Sequence, residues 1–238
     1  MCCRFLLLQQ HYRDLLARLG IAAPAEFLSR YNITPGSDIP VVRTKPHTAK
    51  NETIALRWGL VPSWSKSHDG TQLVNARAET LAAKPSFRDA LRSRRCIIPA
   101  SGFYEWENLG RAKKPWLFRR RDEQPFGLAG LWESWRAPDG ALLETCAVIT
   151  TEPNELMRPI HHRMPVMLAP DDFEPWLDAR TTEPEKLLRL LRTPLSATMS
   201  ALAVSSHVSN VRHEGPGCLA PAATDPSGSG PQLALGLE

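Results

Sequence analysis

Long apolar runs are missing from this 238-residue chain. The early run Phe5–Leu8 is far too short to cross a bilayer, or to form the apolar stretch of a secretory leader. The sequence therefore reads as a chain with no membrane span and no signal peptide, and a cytoplasmic location is expected. Cysteine is scarce and scattered. Cys2, Cys3, Cys96, Cys146 and Cys218 are odd in number and show no CxxC spacing, which argues against a disulfide framework and fits free thiols in a reducing compartment. Lysine is also short, 7 residues against 22 arginines. Guanidinium suits phosphate better than ammonium does, although codon usage in a GC-rich genome accounts for the bias equally well. A net charge of +4 and a pI near 8.9 are compatible with a nucleic-acid partner and do not establish one. With 42% apolar and 23% charged residues, the chain is long and apolar enough to bury a core.

Strand signals dominate what is present. Ile39–Arg43, Thr53–Gly59, Cys96–Ile98, Pro165–Leu168 and Ala197–Ser205 read as strands. Phe103–Glu107 with Pro115–Arg119, and Phe126–Trp135 with Leu142–Thr151, read as hairpins, the second about Pro138-Asp139-Gly140. Helical spacing appears over Gln10–Leu19. A short helix to Arg92 is capped by Ser86, one to Asp178 by Asp171, and a further one spans Pro184–Leu191. Pro62–Gly70 reads as a loop. Helices inserted irregularly among strands give an α+β class, a mostly antiparallel β-sheet or barrel-like core with peripheral helices. One domain over residues 1–220 is expected. The composition of Pro221–Glu238, rich in Gly, Pro and Ser, predicts a disordered tail.

Chemistry concentrates at the first residues. The small Cys2 favours removal of Met1, which would leave a free α-amine beside a thiol. Such an aminothiol condenses with an aldehyde to a Schiff base, and the thiol then closes a five-membered thiazolidine. The amine titrates near roughly 8 and the thiol near roughly 8.5, so a neighbouring acid–base group is needed. Four polar segments offer partners: Arg57–Trp64, Asn75–Thr80, Ser101–Trp106 and Ile160–Pro165. Each also has a plainer reading. Glu105 suits the wet face of a strand, His161 a satisfied core position, Trp64 a rim, and Arg77 a pair with Glu79. Cys2, Cys3, His161 and His162 have zinc-like types, but adjacent cysteines chelate poorly, so no metal or other cofactor is expected.

Taken together, the segments resemble the SOS-response-associated-peptidase (SRAP) family. The likeness runs through Met1-Cys2-x-Arg4-Phe5, Arg30–Gly36, Trp58–Trp64, Asn75–Thr80, Arg95–Ala100, Gly102–Trp106 and Ile160-His161-x-Arg163-Met164-Pro165-Val166. It closes with Val204-Ser205 and Val208-Ser209-Asn210. The resemblance implies a protein that binds single-stranded DNA, associates with the nucleoid and shields abasic sites by a thiazolidine crosslink, with no membrane partner and as a monomer. By motif it implies Cys2 as nucleophile, Asn75 positioning the amine, Glu105 moving its proton and His161 protonating the sugar ring oxygen. It places Arg4, Arg77 and Arg163 at phosphates and Trp64 on a base. A thiol peptidase or autopeptidase using Cys2 and His161, and a non-covalent single-stranded-DNA binding module, are the alternatives. Two positions depart from the family pattern: Cys3 stands where Gly is usual, and His162 where Asp is usual.

Overall fold

The computed structural model describes residues 2–46, 48, 50–68 and 72–223. Thirteen strands and four short helices follow one another along them. The order is β1 (Phe5–Leu7), α1 (Gln9–Arg18), β2 (Arg30–Ile33), β3 (Asp38–Thr44), β4 (Asn51–Trp58), β5 (Asn75–Arg77), α2 (Arg88–Ser93), β6 (Arg95–Ala100) and β7 (Gly102–Asn108). It continues through β8 (Lys113–Arg120), β9 (Phe126–Arg136), β10 (Leu142–Thr151), β11 (Met164–Pro165), β12 (Met167–Leu168), α3 (Phe173–Leu177), α4 (Pro184–Leu188) and β13 (Met199–Ala203). Of the predicted tail, Pro221–Ala223 are described and 224–238 lie outside the described residues.

Strands β10, β4, β3, β6 and β9 pair in turn, and β9 returns to β10, closing a five-stranded barrel. Every contact in that ring is antiparallel except β10 with β4. Its interior is filled by side chains such as Val41, Leu56, Cys96, Ile98, Leu128 and Cys146, as a barrel this narrow requires. A second sheet in the order β13-β8-β7-β1-β2 packs beside it. The mostly antiparallel α+β class is thus as the strand pattern indicates. Both hairpins form, with Trp135 opposite Leu143 and Phe103 opposite Phe118.

The differences are local. Ser86 and Asp171 cap nothing: α2 begins after Phe87 and α3 after Asp172, neither with a side-chain cap bond. The Pro165–Leu168 strand is two pieces, because β11 pairs with β10 whereas β12 pairs with β9. Helix α4 ends at Leu188.

Gly102 lets β1 lie close to β7. A Cβ there would sit 2.9 Å from Leu6 Cδ2 and 3.0 Å from the Phe118 carbonyl oxygen. Gly102→Ala is therefore expected to cost about 1–3 kcal/mol, the usual penalty of overpacking. An unchanged urea midpoint would mean the two strands can part freely.

Candidate active site

Sheet register brings the amino terminus to Glu105. Phe5 lies opposite Phe103 and Leu6 opposite Gly102, and the Tyr104 N–H donates to the Arg4 carbonyl at 2.9 Å. Continued by two residues, the same register sets Cys3 level with Glu105 on the face that carries Phe5 and Phe103. Trp58 fixes the next element. Its ring meets Phe5 edge-on at 5.3 Å, and its indole N–H donates to the Val74 carbonyl at 3.0 Å. Asn75 follows directly, and its Nδ2 reaches the Cys3 sulfur at 3.7 Å.

Strand β10 supplies the third side. Its end pairs Val148 with Asn75 and Thr150 with Arg77 along one edge, and Thr150 with Pro165 along the other. The loop carrying His161 leads into that second edge. Sequence segments far apart in the chain, 2–5, 75–77, 103–105 and 161–165, thereby converge on one region.

Burial sets the electrostatics. Glu105 is 4% exposed, and its carboxyl is pushed up to about 7, chiefly by burial, with nearby positive charge including His162 pulling the other way. The Cys2 thiol is wholly buried and held well above its ordinary range, by burial first and then by the charge of Glu105. Cys2 and Glu105 therefore lie within electrostatic reach of each other. His161 is pushed down from the ordinary imidazole range, again mainly by burial, with the Arg163 charge contributing. His161 Nδ1 lies 3.0 Å from both the backbone N–H and the carbonyl oxygen of Arg163, accepting from the first or donating to the second according to the tautomer. The His161 and His162 rings stack at 4.4 Å. Asn75 Oδ1 is a buried acceptor with no partner among the described residues, an arrangement that calls for a donor. Among the described residues, no group of three His, Cys, Asp or Glu side chains is placed to hold a metal ion, and no helix is long and apolar enough to cross a membrane.

The four residues expected at DNA divide into two kinds. Trp64 is 65% exposed and Arg77 is exposed, as surface contacts should be. Arg4 and Arg163 are buried and already engaged. Arg163 holds Glu79 with both Nη atoms at 2.9 Å and donates to the Thr150 carbonyl at 2.7 Å. It ties the His161 loop to β10. Arg4 Nη1 donates to Asn32 Oδ1 at 2.7 Å and to the Val208 carbonyl at 2.8 Å, while its guanidinium lies 5.2 Å from the Trp106 ring centroid. In this structure both arginines brace the site from within.

Asn32 is the residue that sequence reasoning passed over. Its Nδ2 donates to the carbonyls of Asn210 at 3.0 Å and His213 at 2.8 Å, and the Trp106 indole donates to Ser209 Oγ at 3.0 Å. Together with Arg4, these bonds clasp the 208–213 segment to the strands beneath the reactive terminus. Asn32 lies inside the Arg30–Gly36 motif, which was the available signal. Arg4→Ala should cost roughly 2–4 kcal/mol, since it strands buried polar partners, and should leave the salt dependence of DNA binding unchanged. A salt slope lower by about one would instead restore Arg4 to the phosphates.

A closed barrel with a flanking sheet thus carries a buried carboxyl, Glu105, and two thiols at the head of the chain. Residues 1–211 match the family described as SOS response associated peptidase (SRAP), and the chain belongs to that family. It is 40% identical to the abasic site processing protein YoqW of Bacillus subtilis (strain 168), over 91% of this chain and 97% of that protein. It is 31% identical to the abasic site processing protein HMCES of Gallus gallus, over 80% of this chain and 66% of that one. Among solved structures, a Bacteroides thetaiotaomicron protein superposes with a TM-score of 0.80 at 25% identity, covering 93% of this chain and all of the other.

Proposed function

We propose that this protein processes abasic sites in single-stranded DNA by bonding covalently to them through Cys2, once Met1 has been removed. The observation that carries the reading is the buried Glu105 carboxyl, poised at about 7 and electrostatically linked to Cys2. A general base or acid is most effective when its pKa lies near the working pH.

In this reading the ring-opened sugar presents its aldehyde to the freed Cys2 amine. Asn75 Oδ1 accepts one amine hydrogen. Glu105 takes the proton that the amine must lose and returns it to the departing oxygen, so that water leaves and an imine forms. The Cys2 thiol then adds across the C=N bond: sulfur bonds to carbon, and its proton passes to nitrogen. His161 acts before this, giving a ring proton to the sugar ring oxygen as the ring opens. Arg77 meets a flanking phosphate, and Trp64 stacks on a neighbouring base.

The raised Cys2 thiol argues against the peptidase alternative, because a Cys–His nucleophile needs a thiol held low. Ring closure also proceeds through the thiolate, and Glu105, whose charge bears on the thiol, takes its proton as sulfur approaches the imine.

The test is incubation of the protein with single-stranded oligonucleotides that differ only in an abasic site. A denaturing gel should show a shifted band with the abasic strand alone. Binding without any shifted band would favour a non-covalent module. Arg77→Ala is expected to weaken binding and reduce the salt slope by about one, and an unchanged slope would remove Arg77 from the phosphates.

A further inference from the structure

Cys3 occupies one of the two positions at which this chain departs from the family pattern. Cys2, Cys96, Cys146 and Cys218 are buried, whereas Cys3 is partly open. Cys96 and Cys146 belong to the barrel core, and Cys218 packs in the smaller cluster with Leu6 and Tyr104. Cys3 instead accepts from Asn75 Nδ2 at 3.7 Å and stands level with Glu105 in the extended β1–β7 register. Cys2 feels the charge of Glu105 and Cys3, and Cys3 that of Glu105, so the two thiols share one site, one buried and one half-buried.

A simple aldehyde needs only the first. Its single electrophilic carbon is consumed by the Cys2 amine and thiol in a small, unstrained ring. Closure of Cys3 onto that same carbon would instead trap a planar trans peptide bond within a medium-sized ring, which is costly. A substrate with a second electrophilic carbon would engage both thiols. Such a substrate arises whenever an abasic strand is broken by elimination of the 3′ phosphate: the sugar remnant becomes an α,β-unsaturated aldehyde, whose β-carbon is a soft electrophile two bonds from the carbonyl carbon.

We propose that Cys3 is a second covalent site, taking the β-carbon of α,β-unsaturated aldehydes at cleaved abasic ends while Cys2 takes the carbonyl carbon. This rests on the Cys2 reading above and extends it to a second class of substrate. In the added step, which comes before thiazolidine closure while the C=C is still conjugated to the carbonyl or imine, the Cys3 S–H adds across the C=C bond. Sulfur bonds to the β-carbon, the double bond becomes single, and the proton ends on the α-carbon. Nothing leaves, and no oxidant or reductant is consumed. The ring closed by both attachments is larger than the one rejected above and accommodates the trans peptide. Burial and the Glu105 charge raise the Cys3 thiol, while the Asn75 amide favours its thiolate, so the addition should quicken as pH rises.

The experiment uses the full chain and two oligonucleotides, one with an intact abasic site and one ending in a 3′ α,β-unsaturated aldehyde. Each adduct is challenged with hydroxylamine, which captures an aldehyde as a thiazolidine reopens through its imine but does not cleave a thioether. With the wild-type protein, the unsaturated-end adduct should survive and the intact-site adduct should be lost. With Cys3→Ala and Cys3→Ser, both adducts should be lost. Equal release of the two wild-type adducts, or a Cys3 that iodoacetamide still alkylates in the unsaturated-end adduct, overturns this proposal and leaves the Cys2 reading standing. No adduct with the intact abasic site overturns the Cys2 reading, and this one with it.

Discussion

Cys2→Ala should abolish the stable DNA adduct while leaving a transient one. The variant retains a small second residue, so Met1 is still removed and the α-amine is still freed. That amine can form the imine with an abasic aldehyde but has no adjacent thiol to close the ring. Spontaneous crosslinking should therefore vanish from a denaturing gel, whereas borohydride, which reduces an imine to a stable amine, should still trap protein on DNA. A lasting band without borohydride would show that another group supplies the durable bond. Loss of both bands would mean that the mutation had removed binding, or that the amine is not the attacking group.

Glu105→Gln has the second-largest expected effect, and it runs in opposite directions on rate and stability. General acid–base groups contribute about 10²–10⁴ in rate, so adduct formation should slow by a factor in that range while affinity for the strand stays nearly unchanged. The wild-type rate should climb as pH rises through about 7, where the carboxyl ionises, because the base form must be available to accept the amine proton. The variant should lack this inflection and show only the titration of the amine near roughly 8. In the folded chain the carboxyl holds its proton to about 7, against an ordinary 4.5. Between those values the unfolded chain binds fewer protons, so wild-type stability falls with rising pH across that window. Removing the charge removes the fall. Glu105→Gln should accordingly be more stable than wild type above pH about 7 and little different below about 4.5, which thermal melts at the two pH values would reveal. Equal melting shifts at both would mean that Glu105 carries no buried charge.

Much of this site was legible in the sequence because its residues sit in polar runs interrupting apolar strands. Asn75, Glu105 and His161 each follow or lie within such a run, and strand pairing in the two sheets then brings their segments together. The partners of charged residues were not legible. Arg4, Arg77 and Arg163 share one chemistry in sequence, yet only Arg77 is exposed. The other two are claimed by Asn32, Val208, Glu79 and Thr150, contacts reaching 13 to 204 residues along the chain that no local pattern encodes. Short strands escaped for a related reason. β1, β2 and β5 have 3 or 4 residues each, too few to display alternation, and are held by neighbours rather than by propensity. The long hairpins β7–β8 and β9–β10 carry their own turns and were readable.

The role of Cys2 is most directly tested by mass spectrometry of the protein recovered from an abasic-oligonucleotide reaction and digested without a reducing step. The predicted product is an amino-terminal peptide beginning at Cys2, with Met1 absent, heavier by the sugar remnant less one water, and blocked at both its α-amine and its thiol. A peptide still carrying Met1 with the adduct elsewhere, on a lysine for example, would contradict the account.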